Sequence, residues 1–230
     1  MKNDIQILFN KYLSDEINDI RFYGSNRLAY LTPFLENIIS HDAPDGYAII
    51  NNTILLVEHF EFDSSTAKNK KGSQNRMEIA RVKRENNSLD KINCNYTTDN
   101  YIRNAIKNFE NHYNRIEHYI ENLKKEKVIK PHMEIKNLFL IEDATILGNI
   151  DINTKRSFSI LHCDMFLNKL KNANKLDYIL AFNSFGQNKF IWYLDKDNLQ
   201  DYIKNQVKIE DINIANLSPH VANYQVFIPK

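Results

Sequence analysis

The chain has 230 residues, with 30 Lys and Arg against 29 Asp and Glu, for a formal net charge of +1. That length buries a substantial core, in one large domain or two small ones. The near-balance of charge excludes attraction of the whole surface to nucleic acid, but it leaves local basic patches open.

Cys94 and Cys163 are too few for a zinc site or a disulfide framework and fit a reduced compartment. No apolar run follows Met1-Lys2-Asn3-Asp4, so no secretory signal is visible. No stretch approaches the roughly 20 apolar residues of a membrane span. A cytoplasmic protein with no membrane partner is the expectation.

Residues 4–13 read as a short amphipathic helix with Ile5, Leu8, Phe9 and Tyr12 on one stripe. Residues 19–23 carry no clear pattern. Leu28, Leu31, Leu35, Ile38 and Ile39 recur at helical spacing. Pro33 sets the expected helix start, since proline is tolerated in a first turn. Glu36 then falls in the first turns, where an acid stabilises the helix dipole whether or not it has a further role.

Pro44-Asp45-Gly46 makes a tight turn. A strand follows from Tyr47, then an Asn51-Asn52 turn, then a second strand to Asp63. Strand side chains alternate faces. Ile54, Leu56, Glu58, Phe60 and Phe62 share one face, while Leu55, Val57, His59, Glu61 and Asp63 share the other. Glu58 interrupts an apolar face, and an acid there is costly unless it reaches water or serves a partner. Two acids at facing positions of a hairpin can hold a divalent metal against phosphate. His41-Asp42 precedes the turn and can supply a base or a supporting partner.

Residues 64–72 form a polar loop, and Ser73 can cap a helix over 74–85. This segment concentrates Lys68, Lys70, Lys71, Arg76, Arg81, Lys83 and Arg84 against Glu78 and Glu85, a local charge of +5 in a nearly neutral chain. Such a segment either grips a phosphate backbone or is a solvated face with no ligand.

Residues 86–98 read as irregular. The longest helical pattern covers 99–127, with Tyr101, Ile102, Ala105, Ile106, Phe109, Tyr113, Ile116, Tyr119, Ile120 and Leu123 at three- and four-residue spacing. His112 and His118 are six apart, so they do not form a helical metal pair and read as surface or half-buried. Pro131 breaks the pattern. A strand over 135–141 is expected to close at Glu142-Asp143, a second candidate ligand pair or a turn. Strands follow at 176–182 and 190–194, a helix near 198–208 and a last strand at 224–228. Phe182, Phe185, Phe190, Trp192 and Tyr193 make the late hairpin aromatic. Its rings can stack on bases or pack in a core, the commoner fate.

The Pro44-Asp45 turn and Glu58, thirteen residues on, resemble the PD-(D/E)xK nuclease superfamily. There a helix carrying an acid precedes a hairpin with Pro-Asp, then an acid and a lysine two residues apart. The resemblance covers residues 26–63, with a looser fit through 143, and implies a preceding helix within Asn26 to Ser40 with Glu36 as its acid. It departs at Phe60, where the lysine would stand. The resemblance implies Mg²⁺ or Mn²⁺ held by Asp45 and Glu58, with Glu36 a further ligand, and a cation orienting the attacking water. Lys70 and Lys71 are the replacements expected for that cation, with Arg76 a further candidate; otherwise the hydrolytic site is lost and a binding scaffold remains.

The fold expected is α+β or α/β: a single domain over 1–230 with a mixed central sheet flanked by helices. The nuclease-like core covers about 26–143, and a C-terminal hairpin extension covers 144–230. The expected function is a metal-dependent nuclease acting on nucleic acid, DNA before RNA. The alternative is a catalytically inactive nucleic-acid-binding or protein-interaction factor from a phage, mobile element or antiviral defence system.

Overall fold

The computed structural model describes residues 20–22, 25–63, 92–96, 98–144, 159–183, 191–205 and 222–226. In chain order these form β1 (Ile20–Phe22), α1 (Ser25–Glu36), β2 (Ile39–Ser40), β3 (Gly46–Ile50), β4 (Thr53–Phe62) and β5 (Ile92–Tyr96). Then come α2 (Thr98–Tyr113), α3 (Ile116–Lys125), β6 (Glu134–Asp143), α4 (Asp164–Lys171), β7 (Tyr178–Asn183), β8 (Ile191–Asp195), α5 (Leu199–Asn205) and β9 (Ala222–Val226).

The fold is α+β. A seven-stranded mixed sheet runs in the order β1-β8-β7-β6-β4-β3-β2. The β2-β3-β4 meander is antiparallel, β4 pairs parallel to β6, and β6 parallel to β7. A parallel β4–β6 pair needs a crossover, and α2 and α3 supply it. The residues expected to form a C-terminal extension complete this same sheet, since β7 and β8 hydrogen-bond into it.

Alternation along β4 decides which helices cover which face. Phe60 and Phe62, with Phe139 and Ile141 of β6, pack under Tyr101, Ala105 and Phe109 of α2 and Phe166 and Leu170 of α4. Leu55 and Val57 pack on the opposite face, with Leu138 and Leu140, under Leu31, Phe34 and Leu35 of α1. Ile54 and Leu56 meet Tyr119 and Leu123 of α3. The β3–β4 turn is the expected Asn51-Asn52 pair, and Asn51 takes φ 53°, a region Asn tolerates better than most residues.

Several expectations are corrected. The pattern over 99–127 is two helices, interrupted at Asn114-Arg115, where Arg115 N–H bonds to His112 O at 3.0 Å. Helix α1 begins at Ser25, so Pro33 lies inside it and Glu36 is its last residue rather than part of its first turn. The α1 end is closed by Asn37, whose side chain donates to Pro33 O at 2.8 Å. Residues 86–98 are not all irregular, because β5 pairs antiparallel with β9. Glu142 and Asp143 do close the strand, as expected, but as its last paired residues, opposite Glu61 and Phe62, rather than as a turn. The expected helices at 4–13 and 74–85 lie outside the described residues, as do Lys68, Lys70, Lys71, Arg76, Arg81, Lys83 and Arg84.

Candidate functional site: a paired carboxylate on the meander

The register of β3 on β4 sets the site. Gly46 pairs with Val57, so Asp45, one residue earlier, comes beside Glu58. The Asp45 N–H donates to Glu58 Oε2 at 3.3 Å, and the His59 N–H donates to Asp45 Oδ2 at 2.8 Å. The carboxylates are close enough for one to act on the other: burial first, and then the Glu58 charge, hold the Asp45 carboxyl above its ordinary value. The His59 N–H and the two imidazoles of His59 and His112 oppose that rise.

Glu58 is only 6% exposed. A buried carboxylate needs hydrogen bonds to offset lost hydration, and here the crossover helices provide them. The Tyr119 hydroxyl donates to Glu58 Oε1 at 2.6 Å, and His112 Nδ1 meets the same oxygen at 2.5 Å. The His112 ring stacks on Phe60, with centroids 5.0 Å apart and planes 16° apart. Phe60 itself is buried in the core beneath α2. Two residues beyond Glu58 on the strand, this chain thus places a platform for an imidazole.

The next residue of β4 faces the other way. His59 Nε2 lies 3.0 Å from Glu142 Oε2, and its ring stacks on Phe182 with planes 11° apart. Glu142 is 1% exposed. Asp143 turns back toward α2 and accepts from the Tyr101 hydroxyl at 2.7 Å. Burial, and then Asp143, push the Tyr101 phenol well above its ordinary value.

The structure thus brings Asp45 and Glu58 together. It leaves Glu36 exposed at the end of α1. Among the described residues, no three His, Cys, Asp or Glu side chains form a group able to hold a metal, so Glu36 does not complete a three-acid set with Asp45 and Glu58. Magnesium is nevertheless commonly held by one or two carboxylates, with water and substrate phosphates filling the remaining positions. The Asp45–Glu58 pair fits that mode, because the Glu58 charge raises the cost of ionising Asp45 and a cation between them would relieve it.

Two participants, His112 and Tyr119, carry no mark of this site in the sequence. His112 stands six residues from His118, a spacing without meaning for a helix, and Tyr119 falls on the apolar stripe of a core. The sequence signal that points to them is the buried acid itself, which requires donors from whatever element crosses over β4. His118 is exposed and contacts Asn122 at 3.2 Å. His41 lies 2.9 Å from Glu126 and accepts the Ala43 N–H at 3.2 Å, tying the loop before Asp45 to the end of α3.

No family model, curated protein or solved structure matches the chain. No helix among the described residues is long and apolar enough to cross a membrane.

Proposed function

We propose that this chain is a divergent metal-dependent phosphodiester hydrolase of the PD-(D/E)xK type, acting on nucleic acid, DNA before RNA. The observation that carries the reading is the Asp45–Glu58 pair: a half-buried and a buried carboxylate beside each other on the meander, joined by the 3.3 Å contact from Asp45 N–H to Glu58 Oε2. Like-charge pairs in such positions are candidates for function because a scaffold gains nothing from them. Asp45 and Glu58 are the proposed ligands of Mg²⁺ or Mn²⁺. When bound, such an ion polarises phosphate and lowers the pKa of a water. The element order supports the reading too: a helix, a hairpin with Pro-Asp at the start of one strand, and an acid on the next.

Lys68, Lys70, Lys71, Arg76, Arg81, Lys83 and Arg84 are the proposed phosphate-gripping cations, on the strength of their charge density in the sequence. Lys70 and Lys71 are the proposed stand-ins for the lysine position. A second reading, a noncatalytic nucleic-acid-binding or protein-interaction factor on the same scaffold, is favoured by one observation. Phe60 is built into the core, so that position of the strand offers no cation beside the acids.

The test is nicking of supercoiled plasmid, and cleavage of single-stranded DNA and RNA, with Mg²⁺, with Mn²⁺ and with EDTA. Metal-dependent cleavage that Asp45→Ala abolishes is the expected result. Absence of cleavage on all three substrates in both metals sinks the hydrolase reading and leaves the binding one.

A further inference from the structure

Glu58 has two carboxylate oxygens, and the protein treats them differently. Oε1 receives two side-chain donors, the Tyr119 hydroxyl at 2.6 Å and His112 Nδ1 at 2.5 Å. Oε2 faces Asp45, with only the longer 3.3 Å contact from the Asp45 N–H. An ionised carboxylate accepts and cannot donate, so the imidazole contact requires a proton on Nδ1. Burial, and then Glu58 itself, hold the Tyr119 phenol well above its ordinary value, so it remains a donor at neutral pH. Asp45 is arranged in the same way: Oδ2 accepts the His59 N–H at 2.8 Å, and among the described residues Oδ1 accepts no hydrogen bond.

We propose that Tyr119 and His112 are positioning residues that occupy Glu58 Oε1 and so present Oε2, beside Asp45, as the single Glu58 oxygen that binds a divalent cation. This rests on reading Asp45 and Glu58 as a metal pair and goes further by assigning the oxygens. One oxygen from each acid leaves most coordination positions to water and substrate phosphate, which suits Mg²⁺ or Mn²⁺ and disfavours ions that demand a protein cage. Phe60 has a place in the same arrangement. Its ring fixes the imidazole plane from below, 5.0 Å away, so the residue that breaks the superfamily pattern supports the orienting group. The donors come from the two helices on either side of the Asn114-Arg115 interruption.

The test measures Mn²⁺ affinity by depletion of the free-ion electron paramagnetic resonance signal, without nucleic acid present. Tyr119→Phe keeps the ring and removes the hydroxyl, with its donation to Glu58 and its contact with Arg115; His112→Leu removes the other donor. Each is expected to weaken Mn²⁺ binding about tenfold, the lower end for groups that orient a metal ligand. His112→Asn, which keeps an N–H near the place of Nδ1, is expected to stay within about threefold of wild type. That rescue separates orientation from proton storage or direct ligation by the ring. Melting curves on each variant confirm folding.

Unchanged affinity in both Tyr119→Phe and His112→Leu overturns the proposal. So does a loss confined to His112 variants that His112→Asn does not rescue, since that marks a direct ligand. If wild type binds Mn²⁺, the variants behave as expected and no substrate is cut, the positioning role stands and the hydrolase reading alone fails.

Discussion

The sheet carries two clusters of charge, one beside the start of β3 and one at the start of β6, and they are built on opposite logic. At the start of β6, Lys136 lies 3.1 Å from Glu134 and 3.2 Å from Asp177. Burial alone would lower the Lys136 ammonium, but the two acids outweigh it and hold the group well above its ordinary value. Asp177 also accepts the Asn137 N–H at 2.8 Å, just before the β6–β7 ladder begins at Leu138. Every charge there has an opposite partner, and the cluster closes the end of the β6–β7 ladder inside the sheet. At Asp45 and Glu58 two like charges are held together, and the donors provided are a phenol, an imidazole and backbone N–H groups. The first cluster is complete by itself. In the second the nearest guanidinium, Arg115, reaches the Tyr119 hydroxyl and, among the described residues, no Lys or Arg pairs with the acids directly, and that contrast is the physical argument for the proposal that a cation binds there.

The sharpest way to break the comparison is to remove one acid. Asp45→Ala or Glu58→Ala is expected to reduce metal-dependent cleavage by more than about 100-fold, since losing a ligand should exceed the cost of losing a group that orients one. Circular dichroism and plasmid nicking check this together. If both variants cut as well as wild type, the two clusters do not differ in the way argued.

A smaller effect is expected from the basic segment. Neutralising Lys70, Lys71 and Arg76 together should lower nucleic-acid affinity evenly across sequences. It should also flatten the slope of log affinity against log salt by about 2–3 units, near one for each phosphate that is no longer neutralised. A cleavage loss larger than the binding loss would identify a cation acting on the reaction. An unchanged slope removes the segment from the interface.

Smaller again is the cost of breaking the ion-paired cluster at Lys136. Asp177→Ala leaves the Asn137 N–H without its acceptor and Lys136 with one acid in place of two. A destabilisation of about 1–2 kcal/mol is expected in urea unfolding, with no change in metal affinity. A shift in metal affinity would show that the clusters communicate.

How far these regions can be read from sequence follows from the range of the forces involved. The β3–β4 hairpin is local: its turn residues, its alternation and the interruption of an apolar face by Glu58 all lie within about twenty residues, and the observed strands follow them. The covering of β4 by helices on both faces follows from the same alternation. What is not legible depends on pairings across long stretches of chain. Glu58 finds His112 and Tyr119 across 54 and 61 positions, and nothing in the spacing of His112 and His118 hints at a strand acid. Strand β5, Ile-Asn-Cys-Asn-Tyr, reads as polar loop because its partner β9 stands far along the chain. The break at Asn114-Arg115 is hidden because apolar spacing continues through it, so periodicity alone gives one helix. Pro33 misleads in the opposite direction: its permitted place in a first turn suggests a start that the packing of Leu31 overrides.

The subtlest test of the like-charge argument concerns stability rather than catalysis. Burial and Glu58 raise the folded-state pKa of Asp45 above its ordinary 3.8. Between that value and the raised one, the folded protein binds more protons than the unfolded chain, so stability falls as pH rises through this window. Above it the full penalty of the charged pair is present. Asp45→Asn removes the charge while keeping an oxygen to accept the His59 N–H. It is therefore expected to raise the melting temperature at pH 7 in EDTA, by no more than about 1 kcal/mol of stability given solvent screening. The gain should shrink as pH falls through the window and vanish below the unfolded value. Divalent metal should have the reverse preference, stabilising wild type by mass action and leaving Asp45→Asn unmoved. A variant that melts below wild type at pH 7, with or without metal, would mean that Asp45 is held by attraction after all, and the contrast between the two charge clusters would collapse.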